Sequence, residues 1–313
     1  MAKYISCGNL VLDRVRLADG QVSPPNLGGG GLFALAGARV WTQSCKLVCH
    51  AGEDYFETYS RWMEANGLAN DGVMIDAEKC SSSVITHHPD GSYSQENPLG
   101  PKKGTENFGY LQVKPRELGA LIDADTKAVY MTQICDKVRW KNIARVKDET
   151  GIKVMWELQL FDQTLEQVKA VIGQADMFSL NKFEASKLYG VPAEKEEELV
   201  KRLQELPVEM TFFRVGKAGA YVVTPNKVAF CGPVDPFGRS VDPTGCGNCS
   251  TGGAMVAYME GYDPLMVGIM ANISAGFNAN QYGVYPQFDE KTMQMARKLA
   301  DKIYAEKVTD NGL

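Results

Sequence analysis

Short apolar runs alternate along the chain with longer stretches in which apolar residues recur every third or fourth position. The runs at 4–7, 46–48, 128–131, 153–156, 177–179, 211–215 and 221–223 predict strands. The periodic stretches at 32–41, 56–66, 139–147, 164–172 and 193–206 predict helices. A glycine run, Gly28 to Gly31, opens the first of these, and Asn66-Gly67 stops the second. In the last, Leu199, Leu203 and Leu206 share one face behind an acidic, solvated opening at 194–198. The C-terminal third predicts three helices, at 248–260, 264–280 and 289–304. Repeated strand–helix units of this kind build an α/β fold, a mostly parallel central sheet flanked by helices on both faces.

The segment 81–109 breaks the alternation. Short alternating stretches surround the turn Pro89-Asp90-Gly91, and Pro98, Gly100 and Pro101 follow. This reads as hairpin and loop, a small β appendage at an edge of the main domain. With no internal repeat or low-complexity tract, residues 1–313 predict a single α/β domain carrying that insert.

Composition removes several classes of function. The hydrophobic fraction of 44% and charged fraction of 23% exclude a disordered, collagen-like or coiled-coil chain. Basic residues number 33 against 38 acidic, and neither half is strongly basic, so no nucleic-acid footprint is expected. Anion binding stays open, because backbone amides rather than net charge hold phosphate. No apolar run reaches the ~18 residues of a membrane span, and the run at 4–7 lacks the length and basic leader of a signal peptide. The eight cysteines form no dense framework. The expectation is a cytoplasmic protein with reduced thiols and no membrane partner.

The most informative stretch is Asp242-Pro243-Thr244-Gly245-Cys246-Gly247-Asn248, which leads into a helix of small apolar residues. A glycine turn at a helix N-terminus presents N–H groups and the positive end of the helix dipole. Gly245 and Gly247 would let an anion approach where a Cβ would exclude it. The alternative is a tight turn with Asn248 as helix cap. A dinucleotide fingerprint does not fit, because Ser250 stands where its third glycine belongs. Cys246-Gly247-Asn248-Cys249 has no second CxxC to complete a zinc site.

Asp242–Asn248 resembles the C-terminal signature of the PfkB (ribokinase-like) carbohydrate kinases, DTxGAGD. Other features are similar to that family's in the same order: Cys7-Gly8-Asn9 with Asp13, Gly29-Gly30, Ala51–Asp54, Asn181–Glu184 as N-x-x-E, Val215–Ala220, and Ala271-Asn272 with Gly283. The resemblance covers nearly the whole chain. It implies a ribokinase-like fold with a small β lid at 81–109, joined by 16–22, and transfer of the ATP γ-phosphoryl to a sugar or nucleoside hydroxyl. A lid would exclude water from ATP.

The roles implied are specific. The N–H groups of Gly245, Cys246 and Gly247 would form the anion hole, with the residue at 248 as the catalytic position. Asp13, Gly29 and Gly30 would hold the acceptor. Asn181, Gly216, Gly219, Thr244 and Asn272 would border the nucleotide. Glu184 would hold Mg²⁺ through water, and Asp242 would help arrange a monovalent cation such as K⁺. Several have a plainer alternative: a capping box for Asn181 and Glu184, a loop carboxylate for Asp13, a hairpin turn for Gly216 and Gly219. His87-His88 reads as a pair of exposed loop histidines, while Tyr93, Gln95, Glu96 and Asn97 are polar enough to touch a substrate beneath a lid. Exposed lid strands would favour a homodimer formed through them.

Two positions depart from the family pattern. The signature should end in Asp, the general base, and here it ends in Asn248. A neutral amide does not accept a proton near pH 7, and a general base is typically worth ~10²–10⁴ in rate. After the GG pair the family has an Asn that contacts the sugar, whereas the candidates here are Phe33, Ala34 and Leu35. Three readings follow: a kinase with an unusual acceptor or base, for which Asp242 is a candidate; a non-catalytic or very weakly active nucleotide and sugar binder; or another activity on the same scaffold.

Overall fold

The apolar runs assemble into a nine-stranded sheet whose order is β13-β12-β11-β10-β9-β8-β1-β4-β5 among the described residues. The computed structural model describes residues 2–17, 19–88, 93–96, 113–159 and 163–310. The strands are β1 (Tyr4–Cys7), β4 (Cys45–Gly52), β5 (Val73–Ala77), β8 (Ala128–Gln133), β9 (Lys153–Leu158), β10 (Met177–Asn181), β11 (Met210–Arg214), β12 (Ala220–Val223) and β13 (Val228–Cys231). All pairings from β5 across to β11 are parallel, and only β12, antiparallel to both β11 and β13, is reversed.

Period-two alternation sends each strand's residues to two separate cores. On one face Tyr4, Leu47, Tyr130, Met155, Met177 and Phe212 pack under α1 (Gly30–Arg39), α9 (Cys246–Met259), α10 (Pro264–Ala279) and α11 (Glu290–Asp310). On the other, Ile5, Val48, Val129, Val154, Phe178 and Phe213 pack against α5 (Lys137–Thr150), α6 (Leu165–Ile172), α7 (Lys182–Tyr189) and α8 (Glu196–Gln204). Leu199, Leu203 and Leu206 are buried as their spacing predicts.

A second sheet has the order β3-β2-β6-β7, from β2 (Val11–Val15), β3 (Asn26–Gly28), β6 (Ser81–His87) and β7 (Tyr93–Glu96). β6 and β7 pair antiparallel, and β2 lies parallel to β6 with Asp13 opposite Ser83. The sheet draws as much on 11–28 as on 81–96, since Arg16 and Val22 form an antiparallel bridge beyond β2. Residues 97–109 of the expected insert, Asn97 among them, lie outside the described residues.

Several boundaries differ from the pattern's expectation. The helix expected at 56–66 is two short pieces, α2 (Tyr55–Thr58) and α3 (Ser60–Ala65). Pro115–Gly119 is a short helix, α4, that opens on Pro at its first position. β5 and β13 were hidden because each is a short, half-exposed strand.

Candidate active site

The C-terminal ends of the parallel strands carry polar residues on the face that packs against α9. Glu157 on β9 and Ser179 on β10 are in register, as are Asn181 and Arg214 at the ends of β10 and β11. Above them, Thr251 of α9 donates to Glu157 at 2.7 Å and hydrogen-bonds Ser179 at 2.8 Å. Strand ends that point out of an open parallel sheet toward a helix N-terminus are where such folds bind ligands.

α9 begins in the signature. Gly245 is its N-cap at φ 79°, a conformation that only glycine takes without strain, and a Cβ there would lie 2.3 Å from the Phe33 ring. Phe33, at a position where the resemblance implies a sugar-binding Asn, is a buried core residue that shapes this turn instead. At Gly247 a Cβ would sit 2.1 Å from Arg214 Nη1. The two glycines are therefore also required by neighbours inside this chain. Of the three expected anion-hole donors, the Cys246 N–H is already given to Pro243 O at 3.1 Å.

Asn248 is not the cap. It stands at the third position of α9, and its Nδ2 donates to the Tyr130 hydroxyl at 2.8 Å. A Cβ on Gly30 would lie 3.4 Å from that same Nδ2, so Asn248 faces the start of α1. Gly30 N–H in turn donates to Asn9 Oδ1 at 3.1 Å. Gly29, at φ 102°, is wedged against the backbone of Asn9 to Val11. Cys246 and Cys249 are free thiols that donate to Ala275 O and Ser274 O, and burial pushes Cys246 up to about 12, too high for a nucleophile.

Asp13 is no loop carboxylate. It lies on β2, is 5% exposed, and accepts the Ser83 hydroxyl at 2.5 Å. Burial pushes its pKa up to about 6; bonds from Ser83 and the Gly29 N–H oppose this, and the Asp242 charge adds to it. A Cβ on Gly28 would strike Asp13 Oδ2 at 2.1 Å, so the glycine run makes room for this carboxylate.

Asn181 and Glu184 form a complete capping box on α7. Asn181 Oδ1 accepts the N–H groups of Phe183 and Glu184, and Glu184 Oε2 accepts the Asn181 N–H at 2.7 Å. The Arg214 guanidinium bonds Glu157 and stands 3.7 Å from Glu184. Burial pushes Glu184 up to about 7, which Arg214 opposes and Glu157 reinforces. Burial also raises Glu157, with Arg214 again opposing. Arg214 itself is held charged, because the two carboxylates outweigh the cost of its burial.

The histidines separate. His88 is exposed, but His87 ends β6 with its Nε2 2.8 Å from Thr244 Oγ1 and 3.3 Å from Asp242 Oδ1. Buried Asp242 also accepts from the Thr244 N–H and hydroxyl, which closes the loop before α9. Tyr93 on β7 lies within electrostatic reach of Glu184, Arg214, Glu157 and Asp13. The second sheet thus overhangs the strand ends, and His87 ties it to the signature loop.

Gly216, Gly219 and Asn272 gather elsewhere. Gly216–Ala218 is a 3₁₀ turn between β11 and β12, and a Cβ on Gly219 would meet Cys231 O at 2.1 Å. Asn272 Nδ2 donates to Cys231 O and Gly232 O at 2.8 and 2.7 Å. Gly219 and Asn272 border the end of β13, and Gly216 O accepts the Gly219 N–H at 3.1 Å. Gly283 packs instead on Asn26 and Leu27 of the second sheet.

Sequence reasoning missed Glu157, Arg214, Tyr130 and Ser83. For Glu157 a signal was present, since a carboxylate inside the run Met155-Trp156-Glu157-Leu158 is a charge in a buried strand. No group of three or more His, Cys, Asp or Glu that could hold a metal occurs among the described residues. Mg²⁺ does not need one, because it binds through one or two carboxylates, water and substrate phosphates. Glu184 suits that mode as a carboxylate acting through water, whereas Glu157 is committed to Arg214 and Thr251.

Comparison with known proteins gives the class. Residues 26–291 match the pfkB family carbohydrate kinase model, and the chain belongs to that family. It is 26% identical to the protein MAK32 of Saccharomyces cerevisiae, over 91% of this chain and 86% of that protein. Solved structures share the ribokinase-like fold at low identity. A Burkholderia thailandensis nucleoside kinase in complex with inosine superposes with a TM-score of 0.68 at 15% identity, covering 94% of this chain and 96% of that one. An Arabidopsis thaliana ribokinase complexed with ribose and ATP gives 0.69 at 17%, covering 96% and 99%. An Escherichia coli protein in complex with ATP and Mg²⁺ gives 0.72 at 15%, covering 96% and 100%. No helix among the described residues is long and apolar enough to cross a membrane.

Proposed function

We propose that this protein transfers the γ-phosphoryl group of ATP to a hydroxyl of a sugar, sugar derivative or nucleoside. The observation that carries the reading is the facing pair at the strand ends: the α9 N-terminus with Asn248 on one side, and Gly30 with the Asp13 carboxylate on the other. An acceptor hydroxyl held by Asp13 and the Asn248 amide would lie before a helix N-terminus able to stabilise a transferring phosphoryl. The acceptor oxygen bonds to phosphorus, the bond from phosphorus to the ADP oxygen breaks, and the hydroxyl proton leaves to solvent. The Gly245 and Gly247 N–H groups meet the phosphoryl oxygens, while Gly216, Gly219 and Asn272 border the nucleotide. Mg²⁺ held through water by Glu184 would screen phosphate charge when bound.

A non-catalytic or very weakly active binder is the second reading, favoured by one observation: the Asn248 amide is bonded to Tyr130, and no carboxylate occupies its position. ADP release with Mg²⁺-ATP across sugars, sugar acids and nucleosides, beside calorimetric nucleotide binding, decides. Turnover on one acceptor supports the kinase; ATP binding without turnover supports the binder; absence of both sinks the two readings together.

Asp13 makes the activity pH-dependent. Its carboxylate must be ionised to accept acceptor hydroxyls, so kcat/KM should fall as pH drops through about 6. Asp13→Asn should raise acceptor KM and abolish that acid limb; a limb that persists in Asp13→Asn would refute the assignment. Stability moves oppositely. The folded-state pKa lies above the ordinary aspartate value, so this group favours folding at acid pH and loses that contribution as pH rises through about 6.

His87→Ala should loosen the second sheet from the signature loop, raising acceptor KM by about tenfold, the worth of one hydrogen bond, with a smaller change in kcat. Steady-state kinetics across acceptor concentrations measure the split, and an unchanged KM would show that the contact has no part in acceptor binding.

A further inference from the structure

The Arg214 guanidinium lies at the one point where the strand ends, α7 and α9 meet. Its two carboxylate partners among the described residues, Glu157 and Glu184, both face Nη2. That leaves the rest of a five-donor fork. Nε is buried with no hydrogen-bond partner among the described residues. Nη1 lies against Gly247, 2.1 Å from where a Cβ would stand, which places positive charge directly beside the first turn of α9. A guanidinium buried with spare donors beside free helix N–H groups is a poor structural filler, because each unmade bond costs stability. Nη1, beside the first turn of α9, is well placed to donate to a phosphate oxygen.

We infer that Arg214 is a phosphate-contacting residue of this site: Glu157 and Glu184 fix the guanidinium by Nη2, and Nη1 binds the terminal phosphates of the nucleotide beside Gly247. This rests on the kinase reading and deepens it. It assigns a fixed positive charge, supplied by β11, to the position beside the anion hole. It also gives Gly247 a reason in this chain, since any side chain there would displace the guanidinium. Glu157 becomes a positioning residue, acting through Arg214.

Removing Arg214 alone strands Glu157 in the interior, and the variant could fail to fold for that reason. The test therefore uses Arg214→Gln with Glu157→Gln, a neutral pair that can still hydrogen-bond, together with Arg214→Lys. Calorimetry measures the affinity of each for ATP and for adenosine, with turnover and melting followed in parallel. The double variant is expected to melt near wild type, to bind adenosine as wild type does, and to lose about 100-fold in ATP affinity or turnover. Arg214→Lys should recover part of that loss, since it restores the charge without the fork. A purely structural arginine would leave the ratio of ATP to adenosine affinity unmoved. If the folded double variant binds ATP within about threefold of a wild type that itself binds ATP, the inference falls and the kinase reading stands. If wild type binds no ATP, the kinase reading falls and takes the inference with it.

Discussion

Asn248→Asp should raise turnover by about 100-fold, the lower end of what a general base contributes. The lower end applies because phosphoryl transfer has a loose transition state and depends more on position and charge than on deprotonation. The side chains around Asn248 are arranged to accept the change. Its Nδ2 now donates to the Tyr130 hydroxyl at 2.8 Å, and a carboxylate there would receive the Tyr130 proton instead. Burial holds Tyr130 in its protonated form, so that donor is secure. The new carboxylate would stand near Glu157 and Glu184, whose charges raise its pKa, and near Arg214 and the α9 N-terminus, which lower it. The variant's kcat should therefore gain an acid limb that wild type lacks. Turnover unchanged by Asn248→Asp, with ATP binding intact, would show that the missing base is not what limits this site.

The legible and illegible parts of the molecule divide by a physical rule. Continuous apolar runs mark strands buried on both faces and period 3.6 marks helices with one buried face, so β8 to β12 and helices such as α8 could be read from the chain. β13 alternates instead, but Val228 and Phe230 point outward, so its pattern opposes burial to type. The site was legible where the backbone does the chemistry, because glycine turns such as Gly29-Gly30 and Gly245–Gly247 leave a local mark. It was illegible where two distant side chains meet. His87 and Asp242 are 155 positions apart and touch only because β6 crosses above the signature loop. Arg214 reads as the polar end of a strand until Glu157 and Gly247 are seen around it. Asn248 illustrates the opposite error: Asn at a helix start favours a cap, but a Gly245 with positive φ already occupies the cap position.

Gly252→Ala should cost both stability and activity, although the substitution favours the helix intrinsically by about 1 kcal/mol. α1 and α9 cross backbone against backbone. A Cβ on Gly252 would lie 2.0 Å from Ala34 O, and one on Gly37 would lie 1.8 Å from Cys249 O. Neither obstacle is a flexible side chain, so the two helices must separate by about 1 Å or more before ordinary packing distance returns. Overpacking of this kind typically costs about 1–3 kcal/mol, which exceeds the propensity gain and should lower the melting temperature by several degrees. The functional loss should be larger than the loss of stability. α1 begins at Gly30 and α9 at Cys246, so this crossing sets the spacing between the acceptor side and the phosphoryl side of the site. A misplacement of about 1 Å between reacting groups can cost about 100-fold in rate. Gly173→Ala serves as the control: Gly173 has φ −63° and open space where a Cβ would go, so melting and turnover should match wild type. Melting curves and kcat for Gly252→Ala, Gly37→Ala and the control decide the matter. Wild-type kcat in a Gly252→Ala protein that melts early would mean that the crossing supports the fold without setting the geometry of the site.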